Sequence, residues 1–248
     1  MAQFKADVDM LTTADSGIRP EPPRLIVVHT TENRPGTDPR NVARWQQDTS
    51  NQSSYHLLIG SDGTTVRSND DEFMPWAAMP PGNRIGLHVS LIGQAAMSRG
   101  DWIRQAAQLN KLAEVIRKWA SDYGIPVRRL TAEAVRAGKW GVCGHAEISA
   151  AFKESDHTDP GSGFPWDIVL SRARLDAPTP SAPTAPSTPA AAPRDRPVPD
   201  LILDQLAGWP HESGYPGWPQ LNGRTVVDAL AEIGQALNIP GYKPPERG

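Results

Sequence analysis

The sequence predicts an α/β or α+β domain, followed by a proline-rich spacer and a small helical unit. Three observations predict this. Short β-branched runs alternate with amphipathic segments over residues 21–175. Residues 176–199, DAPTPSAPTAPSTPAAAPRDRPVP, contain no large apolar residue except Val198. A helical stripe of Val226, Val227, Leu230, Ile233 and Leu237 then lies within residues 200–248. The 248 residues suffice for one good domain plus something smaller, preceded by an N-terminal extension over residues 1–20.

Arg24–Thr30, RLIVVHT, is a short β-branched apolar run and reads as a buried strand. Asn41–Asp48 reads as a short helix. Tyr55–Ile59 and Thr64–Val66 flank Ser61-Asp62-Gly63, whose Asp-Gly suits a hairpin turn. Arg84–Ile92 reads as another strand, with Ile85, Leu87, Val89 and Leu91 on one face and Gly86, His88, Ser90 and Ile92 on the other. Trp102–Tyr123 is the clearest helix: Ile103, Leu109, Leu112, Ile116 and Trp119 recur at three- and four-residue spacing, and Gly124 stops it. The spacer cannot bury enough surface to offset chain entropy, and its prolines favour an extended, semi-rigid form.

Charge narrows the function. With 25 basic and 28 acidic residues there is no basic surplus to attract nucleic acid. Cys143 is the lone cysteine, so no intrachain disulfide forms. Its thiol beside Gly144 and His145 could ligate a metal, but a small buried residue is the simpler reading. Residues 1–20 lack the run of roughly 7–15 apolar residues of a secretory signal, and no stretch reaches the ~20 needed to insert in a membrane.

Five of the six histidines (29, 56, 88, 145 and 157, but not 211) fall before the spacer. His29 ends a predicted strand, His145 follows Gly144, and His157 and Asp159 precede a Pro-Gly turn. Two histidines and a carboxylate suit zinc, and three protein ligands leave a position open for water. Spacing alone leaves a metal site and a set of structural histidines equally open, because His29 and His145 are far apart in sequence.

The segments V-V-H-T-T-E (27–32), S-Y-H-L-L-I (54–59) with S-D-G, P-W-A-A (75–78), I-G-L-H-V (85–89) and G-H-A-E-I-S…H-T-D-P-G…F-P-W-D (144–167) occur in this order. Together they resemble the type 2 N-acetylmuramoyl-L-alanine amidase family, which includes phage amidase endolysins and peptidoglycan recognition proteins. The resemblance spans roughly residues 24–170 and implies a central mixed sheet flanked by helices, with a zinc site in an open groove. It implies His29, His145 and Asp159 as ligands of Zn2+, and a zinc-activated water that cleaves the amide between N-acetylmuramic acid and L-alanine.

It also suggests three catalytic residues. His157 stands where the family often has Lys, two residues before the third ligand, and can donate to the oxyanion or protonate the leaving amine. Tyr55 matches a tyrosine whose hydroxyl could hold the attacking water; a core tyrosine is the alternative. His88 occupies the position of a Glu in recycling amidases and could act as base or contact substrate. His56, on the opposite face from Tyr55, reads as structural, and Trp76 as a groove wall or simply core. Ala77 stands where the family often has His.

The leading expectation is a phage endolysin that lyses the bacterial wall. Lacking a signal, it would be made in the host cytoplasm and reach peptidoglycan after the membrane is permeabilised. A non-catalytic peptidoglycan-binding module and a muropeptide-recycling amidase are the alternatives. The intact ligand set argues against the first, and the spacer with its aromatic unit against the second. In that unit Trp209, Tyr215 and Trp218 either stack on wall sugars or close a small core, and the unit could also serve as an oligomer contact.

Overall fold

The computed structural model describes residues 3–175. The expected spacer and C-terminal unit lie outside the described residues. In chain order the elements are β1 (Val8–Asp9), β2 (Asp15–Ile18), β3 (Leu25–Thr30), α1 (Pro39–Gln46), β4 (Leu57–Ile59), β5 (Thr65–Arg67), β6 (Phe73–Pro75) and α2 (Met79–Ile85). There follow β7 (Gly86–Leu91), α3 (Arg99–Arg104), α4 (Ala106–Tyr123), α5 (Ala132–Arg136), β8 (Gly141–Gly144), α6 (His145–Phe152) and α7 (Trp166–Leu175).

Six strands form one mixed sheet in the order β1-β5-β4-β7-β3-β8. Only the β4–β5 hairpin is antiparallel within it. The hairpin turns where expected, with Gly63 at φ +89 and Gly60 N–H donating to Thr64 O at 2.8 Å. Strands β2 and β6 pair separately. The parallel strands are buried on both faces and read as continuous apolar runs for that reason. Along β3, Ile26 and Val28 join a core with Leu109, Leu112, Ile116 and Trp119 of α4 and Val169 of α7. Leu25 and Val27 face the other way, toward Val135 of α5 and Ile148 of α6.

Three expected elements change. Arg84 and Ile85 end α2 instead of starting a strand, and Ile85 packs with Leu25 and Val27 rather than with Leu87. The sequence M-P-P-G-N-R-I hides this helix because Pro80 and Pro81 suggest a loop. Both lie in the first turn, where an N–H would have no intrahelical partner anyway. The long helix expected from Trp102 is two helices that break at Gln105 (φ -93, ψ 48), and the first starts earlier, at a Ser98/Asp101 capping box. The break shifts the helical phase, so Ile103 is 45% exposed while Trp102 and Leu109 are buried. The short helix expected at Asn41–Asp48 runs from Pro39 to Gln46.

Residues 3–20 are woven into the domain. Strand β1 covers the β5 edge, with Asp7 and Thr65 exchanging backbone-to-side-chain bonds (2.8–2.9 Å). Covering an edge in this way removes a site for stray pairing. Arg19 is buried, and its guanidinium donates to the carbonyls of Asp71, Phe73, Arg84 and Gly86 at 2.9–3.1 Å. It thereby joins β6, α2 and β7. Nearby, the buried Asp71 carboxylate accepts from Trp119 Nε1 and the Tyr123 hydroxyl, both at 3.0 Å.

Burial pushes the Asp71 carboxyl up to about 6, against the pull of these donors and of Arg19. The folded protein therefore holds this proton more tightly than the unfolded chain, whose value is 3.8. Asp71 thus contributes stability below the unfolded value that is lost as pH rises through about 6. In Asp71→Asn an acceptor remains and the titration is gone. Urea unfolding midpoints should show wild type losing stability relative to this variant between pH 4 and 6; parallel curves would contradict the assignment.

Candidate metal centre

Sheet register brings the first two candidate ligands together. Val28 of β3 pairs with Gly144 of β8, so His29 and His145 are each the next residue beyond one pair. Their rings approach to 4.8 Å, edge to face. Gly144 allows the third residue in: a Cβ there would lie 2.6 Å from Pro160 Cδ and 3.0 Å from Asp159 O. The backbone N–H of Ala146, in the first turn of α6, donates to Asp159 O at 3.0 Å.

His29 Nδ1 lies 3.2 Å from Asp159 Oδ2, and His145 Nδ1 lies 3.3 Å from Asp159 Oδ1. One ligand atom from each residue falls within 4.8 Å of the others, and all three residues are buried. The Thr30 N–H also reaches Asp159 Oδ2, at 3.3 Å.

The hydrogen-bond partners determine the tautomers. His88 Nε2 faces Gly82 O at 3.2 Å, and a carbonyl only accepts, so this nitrogen carries hydrogen. His88 Nδ1 is then the acceptor for His29 Nε2, 3.0 Å away. His29 is left with a bare Nδ1 turned toward Asp159. That atom is buried and has no hydrogen-bond partner. Burial pushes the His29 pKa down to about 4 against the pull of Asp159, so the ring stays neutral near pH 7. An orphaned imidazole lone pair, a second imidazole and a carboxylate at this separation fit a divalent metal with mixed N and O ligands.

The remaining candidates surround this cluster. His157 stacks on His145 (4.4 Å between centroids, 15°), with Nδ1 3.6 Å from Asp159 Oδ1 and an exposed side chain. Tyr55 packs against His29 at 5.1 Å, and burial with the Asp159 charge pushes its phenol up to about 12. Both line a groove of about 840 Å3, as do Trp76 and Ala77. His88 does not reach it. It is wholly buried, so the substrate-contact reading of His88 is not supported; its Nδ1 instead bonds the His29 ring and orients it. His56 is also buried, and its Nδ1 accepts the His88 backbone N–H at 2.9 Å.

Sequence reasoning gave no role to Glu32, the last residue of V-V-H-T-T-E. It lines the groove at φ 59, and its carboxylate accepts from Ala95 N–H at 2.9 Å and from the Thr30 hydroxyl. Its place in the quoted motif was the available signal.

Residues 19–162 match the family model described as N-acetylmuramoyl-L-alanine amidase. The chain belongs to this family. As a member of it, the chain is a peptidoglycan amidase, the class its motifs indicated. Residues 193–240 match a second model, the Rv3766 C-terminal domain. No curated protein sequence matches the chain. Among solved structures, the hydrolase AmiA of Staphylococcus aureus, determined with its ligand, is similar at 17% identity and TM-score 0.54. That match covers 68% of this chain and 85% of AmiA and shows the same fold. The endolysin of Thermus scotoductus bacteriophage Ph2119 aligns at 18% identity and TM-score 0.46, covering 64% of this chain and 90% of its own.

The His29–His88 bond generates a prediction. His88→Leu removes the acceptor that holds the His29 ring, so metal affinity should fall by roughly 10–100-fold, as for lost supporting bonds elsewhere. Competitive chelator titration measures it; unchanged affinity in a folded variant would show that His88 does not position His29.

Proposed function

We propose that this amidase is a zinc-dependent phage endolysin that cleaves between N-acetylmuramic acid and L-alanine. The observation that carries the metal reading is the buried, unpartnered His29 Nδ1 facing Asp159. His29, His145 and Asp159 would hold the zinc, which supplies Lewis acidity toward the scissile carbonyl and the attacking water. His88 keeps the His29 lone pair turned to the metal. Tyr55, with its raised pKa, stays protonated at neutral pH and offers its hydroxyl to orient the water. His157 lies on the open side of His145, where its ring N–H can donate to the developing oxyanion and to the departing amine.

Two of the three residues that would hold the metal, His145 and Asp159, line the groove, with His29 buried beside them, which supports catalysis over peptidoglycan binding alone. The endolysin reading also draws on the spacer, which would tether an enzyme to an insoluble wall. None of the helices among the described residues is long and apolar enough to cross a membrane.

Two measurements test this. The native protein should contain one zinc per chain, and Asp159→Ala should lose both metal and activity, because two ligands rarely hold zinc tightly. Digested walls should release free amines without new reducing sugars, and chelation should stop that release. Reducing sugars instead would identify a glycosidase.

His157→Ala separates ligand from helper. It should retain zinc and fold while turnover drops roughly a hundredfold, the loss expected for one oxyanion donor. Release of zinc by this variant would place His157 in the ligand set in place of Asp159.

A further inference from the structure

The groove adjoins a smaller pocket of about 340 Å3, and Ser53 and Tyr55 line both. One face of α1 contributes to the smaller pocket. Asn41 and Trp45 stand there at i, i+4 spacing, which sets side chains one above the other, and both are exposed. Asn33 and Thr37, from the loop before α1, line it as well.

The fold does not account for Trp45. It is 51% exposed and belongs to none of the packed apolar clusters of the described residues, whereas α1 buries Pro39, Ala43 and Gln46. An indole left in water beside a pocket offers an apolar face and one N–H donor. Among the described residues no hydrogen bond engages the Asn33 carboxamide, the Thr37 hydroxyl or the Trp45 N–H.

This lining suits a neutral ligand rich in hydroxyl and amide groups. Among the described residues no side chain that lines the pocket is charged near neutral pH. The candidate metal ligands His29, His145 and Asp159 are not in its lining either, so the metal is no direct partner for an occupant. The ionised groups of a stem peptide would enter such a pocket unpaired, which is costly. An N-acetylated sugar carries no charge. Its C–H face stacks on an indole, and its hydroxyl and acetamido groups meet carboxamide and hydroxyl side chains. The muramoyl residue being cut must keep its lactyl carbonyl at the metal, in the larger cavity. A pocket that adjoins that cavity without any of the candidate ligands suits the next sugar of the strand.

Resting on the amidase reading above, we propose that the smaller pocket is a subsite for the N-acetylglucosamine next to the muramoyl residue being cut, stacked on Trp45. Tyr55, which packs against His29 at 5.1 Å and lines both cavities, connects the subsite to the candidate metal centre. The subsite makes glycan strands better substrates than isolated muramoyl peptides.

The test uses the full chain and two soluble substrates with the same stem peptide. One is an N-acetylmuramoyl peptide; the other carries an additional N-acetylglucosamine on each side of the muramoyl ring. The trisaccharide should have a kcat/KM roughly tenfold higher, carried mostly in KM, as one aromatic contact and a hydrogen bond would supply. Trp45→Ala should shrink that ratio to within about twofold. Asn33→Ala, in the loop before α1, should also lower it and decides the question if Trp45→Ala does not fold. Equal kcat/KM for the two substrates in wild type, or a ratio unmoved in the folded variants, overturns the subsite. An equal fall for both substrates in Trp45→Ala would assign the pocket to the muramoyl ring or the stem peptide, and overturns it too. Cleavage of neither substrate overturns the amidase reading itself.

Discussion

The Gly82 carbonyl can only accept, and it sets the direction of the hydrogen bonds that run into the candidate metal centre. His88 must donate to it, so His88 accepts from His29, and His29 presents a bare nitrogen to the Asp159 side chain. A lone pair and a carboxylate that meet in a buried site are an arrangement that a cation between them would stabilise. The surrounding structure serves that arrangement. Register between β3 and β8 sets His29 beside His145, Gly144 admits the Asp159 loop, and the His88 backbone is in turn held by His56.

The parts of this that sequence displayed are those governed by local patterning. The buried run of β3, the Asp-Gly hairpin and the Gly124 stop follow from residue type and period, and Gly124 takes φ +66 at the end of α4. The three residues that meet in the candidate metal centre were legible as candidates through ordered motifs. His88 was misplaced because strand alternation tells which face a residue takes but not what lies in front of it. His88 and His29 sit on neighbouring strands and bond to one another, and His88 is not among the residues that line the groove. Helix α2 was hidden by prolines that are harmless in a first turn, and the break at Gln105 leaves no compositional mark.

Long-range placement was also out of reach. Nothing in residues 1–20 announces that Arg19 will collect four carbonyls, from β6, α2, β7 and the turn before β6, or that Ser16 will line the groove and accept from Trp76 Nε1 at 3.0 Å. The charge character of the groove emerges only when distant segments meet. Glu32 and Asp156 lie on separate stretches and meet only in the folded groove.

Anomalous diffraction at the zinc edge tests the central arrangement most directly. Crystals of the full chain grown with zinc should show one peak roughly 2.0–2.2 Å from Nδ1 of His29, Nδ1 of His145 and a carboxylate oxygen of Asp159. In that structure His29 Nε2 should still be bonded to His88. A peak bound through His29 Nε2, or no peak at this cluster, would contradict it.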